Sequence, residues 1–102
     1  MNKHKRKERY GKLYEAILSL ETVDEAIKFF DDLCTITEIC AIEQRYQVAE
    51  CLAKGMIYND ILSETGASSA TISRVNRSLQ NGAGGYDIVF ERLGLERHDG
   101  EE

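Results

Sequence analysis

Residues 58–79 restrict the fold of this chain more than any other segment, because they predict two short helices joined by a tight turn at Gly66. Glycine suits such a turn because it adopts a positive φ without steric cost, and so it both ends a helix and redirects the chain. At helical spacing, one set of apolar residues falls where the two helices must pack on each other: Ile61, Ala67, Ile72, Val75 and Leu79. The segment therefore predicts a helix–turn–helix.

The second of these helices begins with small side chains, which is typical of a surface that enters a DNA groove. Hydroxyl groups there bond base edges or phosphates, and methyl groups contact thymine. We expect Ser68, Ser69, Thr71 and Ser73 to face outward, and the DNA-contacting set to be Ala67, Ser68, Ser69, Ala70, Thr71, Ser73, Arg74 and Arg77. The alternative is an ordinary helical hairpin in a bundle. However, an exposed bundle helix has no reason to prefer Ser and Thr over Glu, Lys and Gln.

Composition predicts one folded, all-helical domain. The chain has 102 residues, no proline and 42% hydrophobic residues, which favours a folded protein over a disordered one. It contains no leader pattern and no apolar run long enough to span a bilayer, so we expect a cytoplasmic protein without a membrane partner.

Cys34, Cys40 and Cys51 lack a C-x-x-C spacing. We interpret them as buried free thiols in a reducing compartment, with no metal site and no cofactor.

Charge is distributed unevenly along the chain. The net charge of −5 by itself argues against DNA binding, but basic residues crowd the start of the chain: Lys3, Lys5, Arg6, Lys7, Arg9 and Lys12. Asp99, Glu101 and Glu102 lie at the other end. We therefore predict a basic flexible arm over residues 1–9, a helix–turn–helix domain over residues 10–95 and an acidic flexible tail over residues 96–102. The arm either adds phosphate contacts or is a solvated terminus that binds nothing, and both alternatives remain open.

The remaining helices follow from apolar periodicity and from capping boxes. An apolar stripe predicts a helix over residues 8–20 and consists of Tyr10, Leu13, Tyr14, Ile17 and Leu18. Two Thr-x-x-Glu capping boxes, at residues 22–25 and 35–38, predict one helix from about Val23 and a longer one ending near Lys54. Residues 86–93 predict a last short helix. We interpret the stripes as core. The long helix is apolar on more than one side, which indicates a partner subunit.

Several segments together resemble the tryptophan repressor superfamily, and within it the YerC/YecD-type repressor-related group. They are Thr-Ile-Thr-Glu at 35–38, Arg45, Glu-Cys-Leu-Ala-Lys-Gly at 50–55, Gly-Ala-Ser-Ser-Ala-Thr-Ile-Ser-Arg at 66–74, and Ser-Leu at 78–79. The resemblance covers roughly residues 10–95. It implies a six-helix, all-α subunit and an intertwined homodimer. It also implies that each subunit presents one recognition helix to a palindromic operator in double-stranded DNA.

The same resemblance implies an effector cleft beside the recognition helix. In tryptophan repressors two arginines flank the indole, and threonine and serine groups hold the charged ends. The matching residues here are Thr35, Arg45, Arg74 and Ser78, and Val75 belongs to the same candidate cleft. Val75 replaces a glycine of the family pattern, and Asp32 and Cys34 stand where larger aliphatic residues are expected, so we expect that tryptophan does not bind. A small anion of another kind remains a candidate. The alternative for Arg45 and Arg74 is pairing with carboxylates or DNA phosphates.

Two functions remain after these arguments, and neither is enzymatic. His4 and His98 lie in the predicted tails, and no nucleophile–histidine pair, phosphate-binding loop or metal-ligand set occurs, so we expect no catalytic residues. Asn59, Leu62 and Gln80 stand at positions that are basic in the repressors, which predicts modest DNA affinity. We favour a sequence-specific transcriptional regulator. The alternative is an oligomeric interaction module that keeps the fold without specific DNA readout.

Overall fold

A computed structural model describes residues 8–98, in which the chain forms six α-helices and no strand. The helices are α1 (Gly11–Leu18), α2 (Val23–Leu33), α3 (Ile36–Ala53), α4 (Tyr58–Thr65), α5 (Ser69–Asn81) and α6 (Gly85–Leu93). The predicted all-α, six-helix architecture is confirmed. None of these helices combines the length and apolar character needed to cross a bilayer. Most of the predicted basic arm, and the end of the predicted acidic tail, lie outside the described residues.

Both predicted capping boxes form at the expected helix starts. The Thr22 hydroxyl accepts the Glu25 backbone N–H at 3.1 Å, and the Glu25 carboxylate accepts the backbone N–H of Glu21 at 2.8 Å. At α3 the exchange is fully reciprocal, because Thr35 accepts from the Glu38 N–H at 3.1 Å and the Glu38 carboxylate accepts from the Thr35 N–H at 2.8 Å. These bonds satisfy backbone donors that a helix start otherwise leaves unpaired.

The chain divides into two compact units after Ile39. In the first unit, α1 and α2 contain no buried residue. Leu18 is 84% exposed, Val23 is 76% exposed and Ile36 is 78% exposed. The expectation that the apolar stripe of α1 is core is therefore wrong for the isolated chain, since Tyr10 and Tyr14 are exposed as well. The helical spacing is correct, but nothing within this unit covers the apolar faces.

The second unit contains the core of the chain. Its buried residues are Val48, Ala49, Cys51, Ala53, Ile61, Ala67, Ile72, Val75, Leu79 and Phe90. The five residues predicted to pack the two helices of the helix–turn–helix against each other all belong to this set. Ile61 on α4 and Ile72 on α5 are fully buried, at 0% exposure. The helix–turn–helix is thus held by the hydrophobic contact that its sequence spacing predicts.

The second unit continues beyond the predicted domain boundary at residue 95. Arg97 donates hydrogen bonds to the Asp87 carboxylate at 2.6 Å and to the Leu79 carbonyl oxygen at 3.2 Å. The backbone N–H of His98 donates to the Ala53 carbonyl oxygen at 2.6 Å. Arg97 and His98 were expected to belong to a flexible tail, and they instead make specific contacts. His98 is therefore held by its backbone, although its side chain is exposed.

Candidate nucleic-acid interface

The turn between α4 and α5 is fixed by a glycine and by one threonine side chain. Gly66 ends α4 with φ +73°, the left-handed conformation for which glycine was predicted. The Thr65 hydroxyl donates to the Ile61 carbonyl oxygen at 2.8 Å and accepts the Ala67 N–H at 3.1 Å. From α3, the Gln44 amide donates to the Thr65 carbonyl oxygen at 3.3 Å. These bonds set the direction in which α5 leaves the turn.

The start of α5 is organised by Ser68. Its hydroxyl accepts the Thr71 backbone N–H at 3.1 Å, which makes Ser68 the N-cap of the helix. The same hydroxyl lies 3.1 Å from the Thr71 hydroxyl and donates to it. Two of the predicted DNA-contacting hydroxyls are thus bonded to each other. The neighbouring Ser69 hydroxyl has no hydrogen bond within residues 8–98.

The predicted DNA-contacting residues differ in their exposure. Ser68, Ser69, Ala70, Arg74 and Arg77 are exposed, as expected. Thr71 and Ser73 are half-buried rather than fully outward. The Ala67 side chain is only 2% exposed and packs in the core, so its methyl group is not available to a base and only its backbone remains a candidate contact.

The exposed members of this set lie on one side of α5. Each helical residue is rotated by about 100° from the one before it, so the exposed positions 69, 70, 74 and 77 share the face opposite the buried Ile72, Val75 and Leu79. The half-buried Ser73 lies on the same side. The guanidinium groups of Arg74 and Arg77 form no ion pair within residues 8–98. This face, which we call the α5 outer face, therefore combines small polar side chains at the helix start with two unpaired cations further along.

The residues predicted for the effector cleft have different surroundings. Thr35 belongs to the first unit, where its hydroxyl caps α3. In the second unit, Arg45 and Arg74 are exposed, and neither pairs with a carboxylate of residues 8–98. Val75 is 2% exposed and is part of the core. That tryptophan is excluded at this point of α5 stays a prediction.

Ser78 lines a cavity of about 470 Å³ between α3, the end of α5 and α6. The cavity is bordered by Tyr46, Tyr86, Val89 and the glycine-rich connection at residues 82–85. The ring of Phe90 lies 6.1 Å from the Tyr46 ring and 6.0 Å from the Tyr86 ring, centroid to centroid. Arg45, Arg74 and Val75 do not line this cavity. It is an aromatic, largely apolar space rather than an anion site.

The cysteines are free thiols, but the prediction that they are buried is correct only for Cys51. Cys40 is exposed, Cys34 is half-buried and Cys51 is buried, and all three are unpaired. Burial raises the pKa of the Cys51 thiol above its ordinary value of 9.0, and the neighbouring Glu64 carboxylate raises it further. Among the described residues, no three His, Cys, Asp or Glu side chains lie close enough together to hold a metal ion.

Comparison with known proteins identifies the family. Residues 8–94 match the family described as Trp repressor protein, which is most of the chain and includes the whole helix–turn–helix. The chain belongs to the Trp repressor family. Among curated proteins, it is similar to YerC of Bacillus subtilis (strain 168), which is described as uncharacterized. The identity is 49% over 81 residues, covering 79% of this chain and 78% of YerC.

Two crystal structures show the same fold. A TrpR-like protein from Eubacterium eligens ATCC 27750 superposes with a TM-score of 0.84 at 52% identity, covering 95% of this chain and all of that one. A candidate Trp repressor from Staphylococcus aureus superposes with a TM-score of 0.85 at 45% identity, covering 94% of this chain and 96% of that one. The family resemblance predicted from the residue motifs is confirmed.

Proposed function

We propose that this chain is a sequence-specific DNA-binding transcriptional regulator that acts as a homodimer on a palindromic operator. The α5 outer face is the observation that carries the proposal, because Ser69 and Ala70 are exposed ahead of the unpaired Arg74 and Arg77. Small side chains allow the helix start to approach base edges in the major groove, and the two arginines are then available to bases or phosphates. Membership of the Trp repressor family supports this function.

The homodimer is supported by apolar surface that the single chain leaves uncovered. Val23, Ile27 and Leu33 on α2 are all more than half exposed, and so are Ile88 and Leu93 on α6. Monomeric proteins rarely leave large contiguous apolar surfaces in water, whereas subunit interfaces are built from them. A symmetric pair of subunits would place two copies of α5 on successive half-sites, which is the reason for expecting a palindrome.

The affinity for DNA is expected to be modest. Cations near the helix–turn–helix are few, since α4 carries Asp60 and Glu64 on its exposed surface and Asn59 at its start. Lys54, Arg74 and Arg77 are exposed and contribute positive charge. Each phosphate contact contributes about one unit to the slope of log affinity against log salt concentration. Few cations make few phosphate contacts, so the slope should be shallow.

The proposal for a regulatory ligand specifies its charge but not its identity. Arg45 and Arg74 are exposed and unpaired within residues 8–98, so they remain available to a small anionic effector. Tryptophan is not the effector we propose, because Val75 is packed in the core where the family pattern has a glycine.

The second candidate function is an oligomeric interaction module without specific DNA readout. The net charge of −5 and the acidic surface of α4 favour it. The two functions differ in one measurable property, which is a preference for particular DNA sequences.

Selection of bound fragments from genomic DNA distinguishes the two functions. The regulator should enrich a shared palindromic sequence, and Ser69→Ala or Thr71→Ala should then relax base preference, at a cost of about 1–3 kcal/mol if the hydroxyl contacts a base. Arg77→Gln should weaken binding, whereas Arg92→Gln, the same charge change on exposed α6, should not. If the purified protein enriches no sequence at low salt, the interaction module is the correct function.

A further inference from the structure

Residues 95–98 follow α6 and connect the ends of three helices. The backbone N–H of Leu95 donates to the Phe90 carbonyl oxygen of α6 at 2.8 Å. Arg97 reaches the Leu79 carbonyl oxygen of α5, and the His98 N–H reaches the Ala53 carbonyl oxygen at the end of α3. We call residues 95–98 the C-terminal strap. The last four carbonyl groups of a helix have no partner within it, so the strap satisfies acceptors that would otherwise depend on water.

Arg97 makes the contacts that bear on the recognition helix. One guanidinium nitrogen donates to the Asp87 carboxylate, in the first turn of α6, at 2.6 Å. The other donates to the Leu79 carbonyl oxygen, in the last turn of α5, at 3.2 Å. The Arg97 side chain is only 21% exposed, although Asp87 is 60% exposed. A planar guanidinium with five donors suits such a double contact, which a lysine ammonium makes less well.

The backbone that joins these two helices does not fix their relative orientation. The connection consists of Gly82, Ala83 and Gly84, and Gly85 begins α6. Gly84 has φ +89°, a conformation that other residues rarely adopt. Glycine-rich backbone has more conformational freedom than any other, so the orientation must be held by contacts outside the connection. Arg97 bonds to residues on both sides of it.

We infer that Arg97 is a positioning residue for DNA recognition, acting through the end of α5 without contacting DNA itself. This inference rests on the proposed function. Because α5 is a single rigid helix, a constraint at Leu79 also restricts the direction of its start, where Ser69 and Ala70 are exposed. Specific binding requires that direction to be maintained, whereas non-specific binding to phosphates requires only positive charge.

A double-mutant cycle in the full chain tests the inference. The variants are Arg97→Gln, Asp87→Asn and the two combined, and Arg92→Gln is the control because it makes the same charge change at an exposed arginine of α6. Three measurements are made on each variant. They are hydrogen exchange of the Asn81 and Gly82 amides, affinity for the selected sequence and for a shuffled one, and the salt slope of both. The unfolding midpoint is recorded to confirm that each variant is folded.

Each single variant should accelerate amide exchange at the end of α5 and weaken specific binding by about three- to tenfold, which is the effect expected from losing one ordinary protein hydrogen bond. Non-specific affinity and the salt slope should stay unchanged. The combined variant should be no weaker than Arg97→Gln alone, because that substitution already removes the contact with Asp87 as well as the one with Leu79. Arg92→Gln should match the unmodified protein.

Other outcomes overturn the inference in distinguishable ways. If Asp87→Asn strengthens binding while Arg97→Gln weakens binding to every sequence and lowers the salt slope by about one, Arg97 is a phosphate contact. If the unmodified protein binds its selected sequence but amide exchange at the end of α5 is unchanged in the variants, the positioning role alone is overturned. Absence of specific binding by the unmodified protein would overturn the proposed function and the positioning role together.

Discussion

Replacing Ser68 separates helix capping from DNA contact, because this residue has both roles under the proposed function. Its hydroxyl accepts the Thr71 N–H at 3.1 Å, and its side chain is exposed at the start of α5. Alanine removes the acceptor. Aspartate keeps an acceptor at the same place, since Asp is as good an N-cap as Ser, but adds a negative charge. Ser68→Ala should therefore lower the stability of the subunit, whereas Ser68→Asp should keep that stability and weaken DNA binding.

The magnitudes follow from the geometry of the cap. Loss of an N-cap acceptor costs typically about 1 kcal/mol of unfolding free energy, so Ser68→Ala should destabilise each subunit by about that amount. Ser68→Asp should be neutral or stabilising by about 0.3–1 kcal/mol, because a carboxylate interacts favourably with the helix dipole at this end. For an assumed separation of about 6 Å from a DNA phosphate, Coulomb repulsion of the same carboxylate should cost about 1–3 kcal/mol of binding free energy at low salt.

Denaturant unfolding at fixed protein concentration measures the first effect, and titration of the selected DNA at two salt concentrations measures the second. Ser69→Ala is the matched control for the unfolding measurement alone, because its hydroxyl is exposed and does not cap the helix. That control should change the unfolding free energy by less than about 0.5 kcal/mol. If Ser68→Asp is as unstable as Ser68→Ala, the helix-capping role of Ser68 is refuted. If Ser68→Asp binds DNA as tightly as the unmodified protein, the position of Ser68 at the DNA interface is refuted.

Three further predictions concern assembly, the effector and pH. The protein should scatter light as about twice its 11.6 kDa subunit mass, and its unfolding midpoint should rise with concentration, whereas a monomer at micromolar concentration would contradict the dimer. Calorimetry should detect no saturable tryptophan binding below millimolar concentration, and Val75→Gly should lose about 3–4 kcal/mol of stability, since it removes a buried side chain and places glycine within a helix. The raised pKa of Cys51 means that the unfolded thiol ionises first, so stability should fall as pH rises above 9.0. Cys51→Ala should show a smaller fall, and an equal fall would exclude Cys51 as its source.

The features predicted correctly from the sequence are those that short stretches of chain determine. Gly66 and the flanking apolar positions define the helix–turn–helix, because the turn conformation and the helical period are both local properties. The Thr-x-x-Glu patterns at residues 22–25 and 35–38 set their helix starts by bonds that span only three or four residues. The identity of the family follows from the same segments, since its motif contains the turn and the start of α5.

The contacts of the C-terminal strap were not predictable in this way. Arg97 bonds to residues 10 and 18 positions earlier, and nothing in the pattern around it indicates those partners. Its position close to the acidic residues at the end of the sequence favoured the expectation of a flexible tail. Half-burial of Thr71 and Ser73 was missed for a related reason, because a helical period gives the centre of an exposed face more reliably than its edges.

The first unit shows what a correct apolar pattern leaves undetermined. α1 has only eight residues, and a helix of that length is marginal in water unless its apolar face is packed. Leu18 and Tyr10 are nevertheless more than half exposed, and α2 leaves Val23 similarly uncovered. Periodicity establishes which side of each helix must be buried, but it does not identify the surface that buries it. Under the proposed homodimer that surface is the second subunit, so α1 and α2 should lose helicity on dilution before the core around Ile61 and Ile72 unfolds.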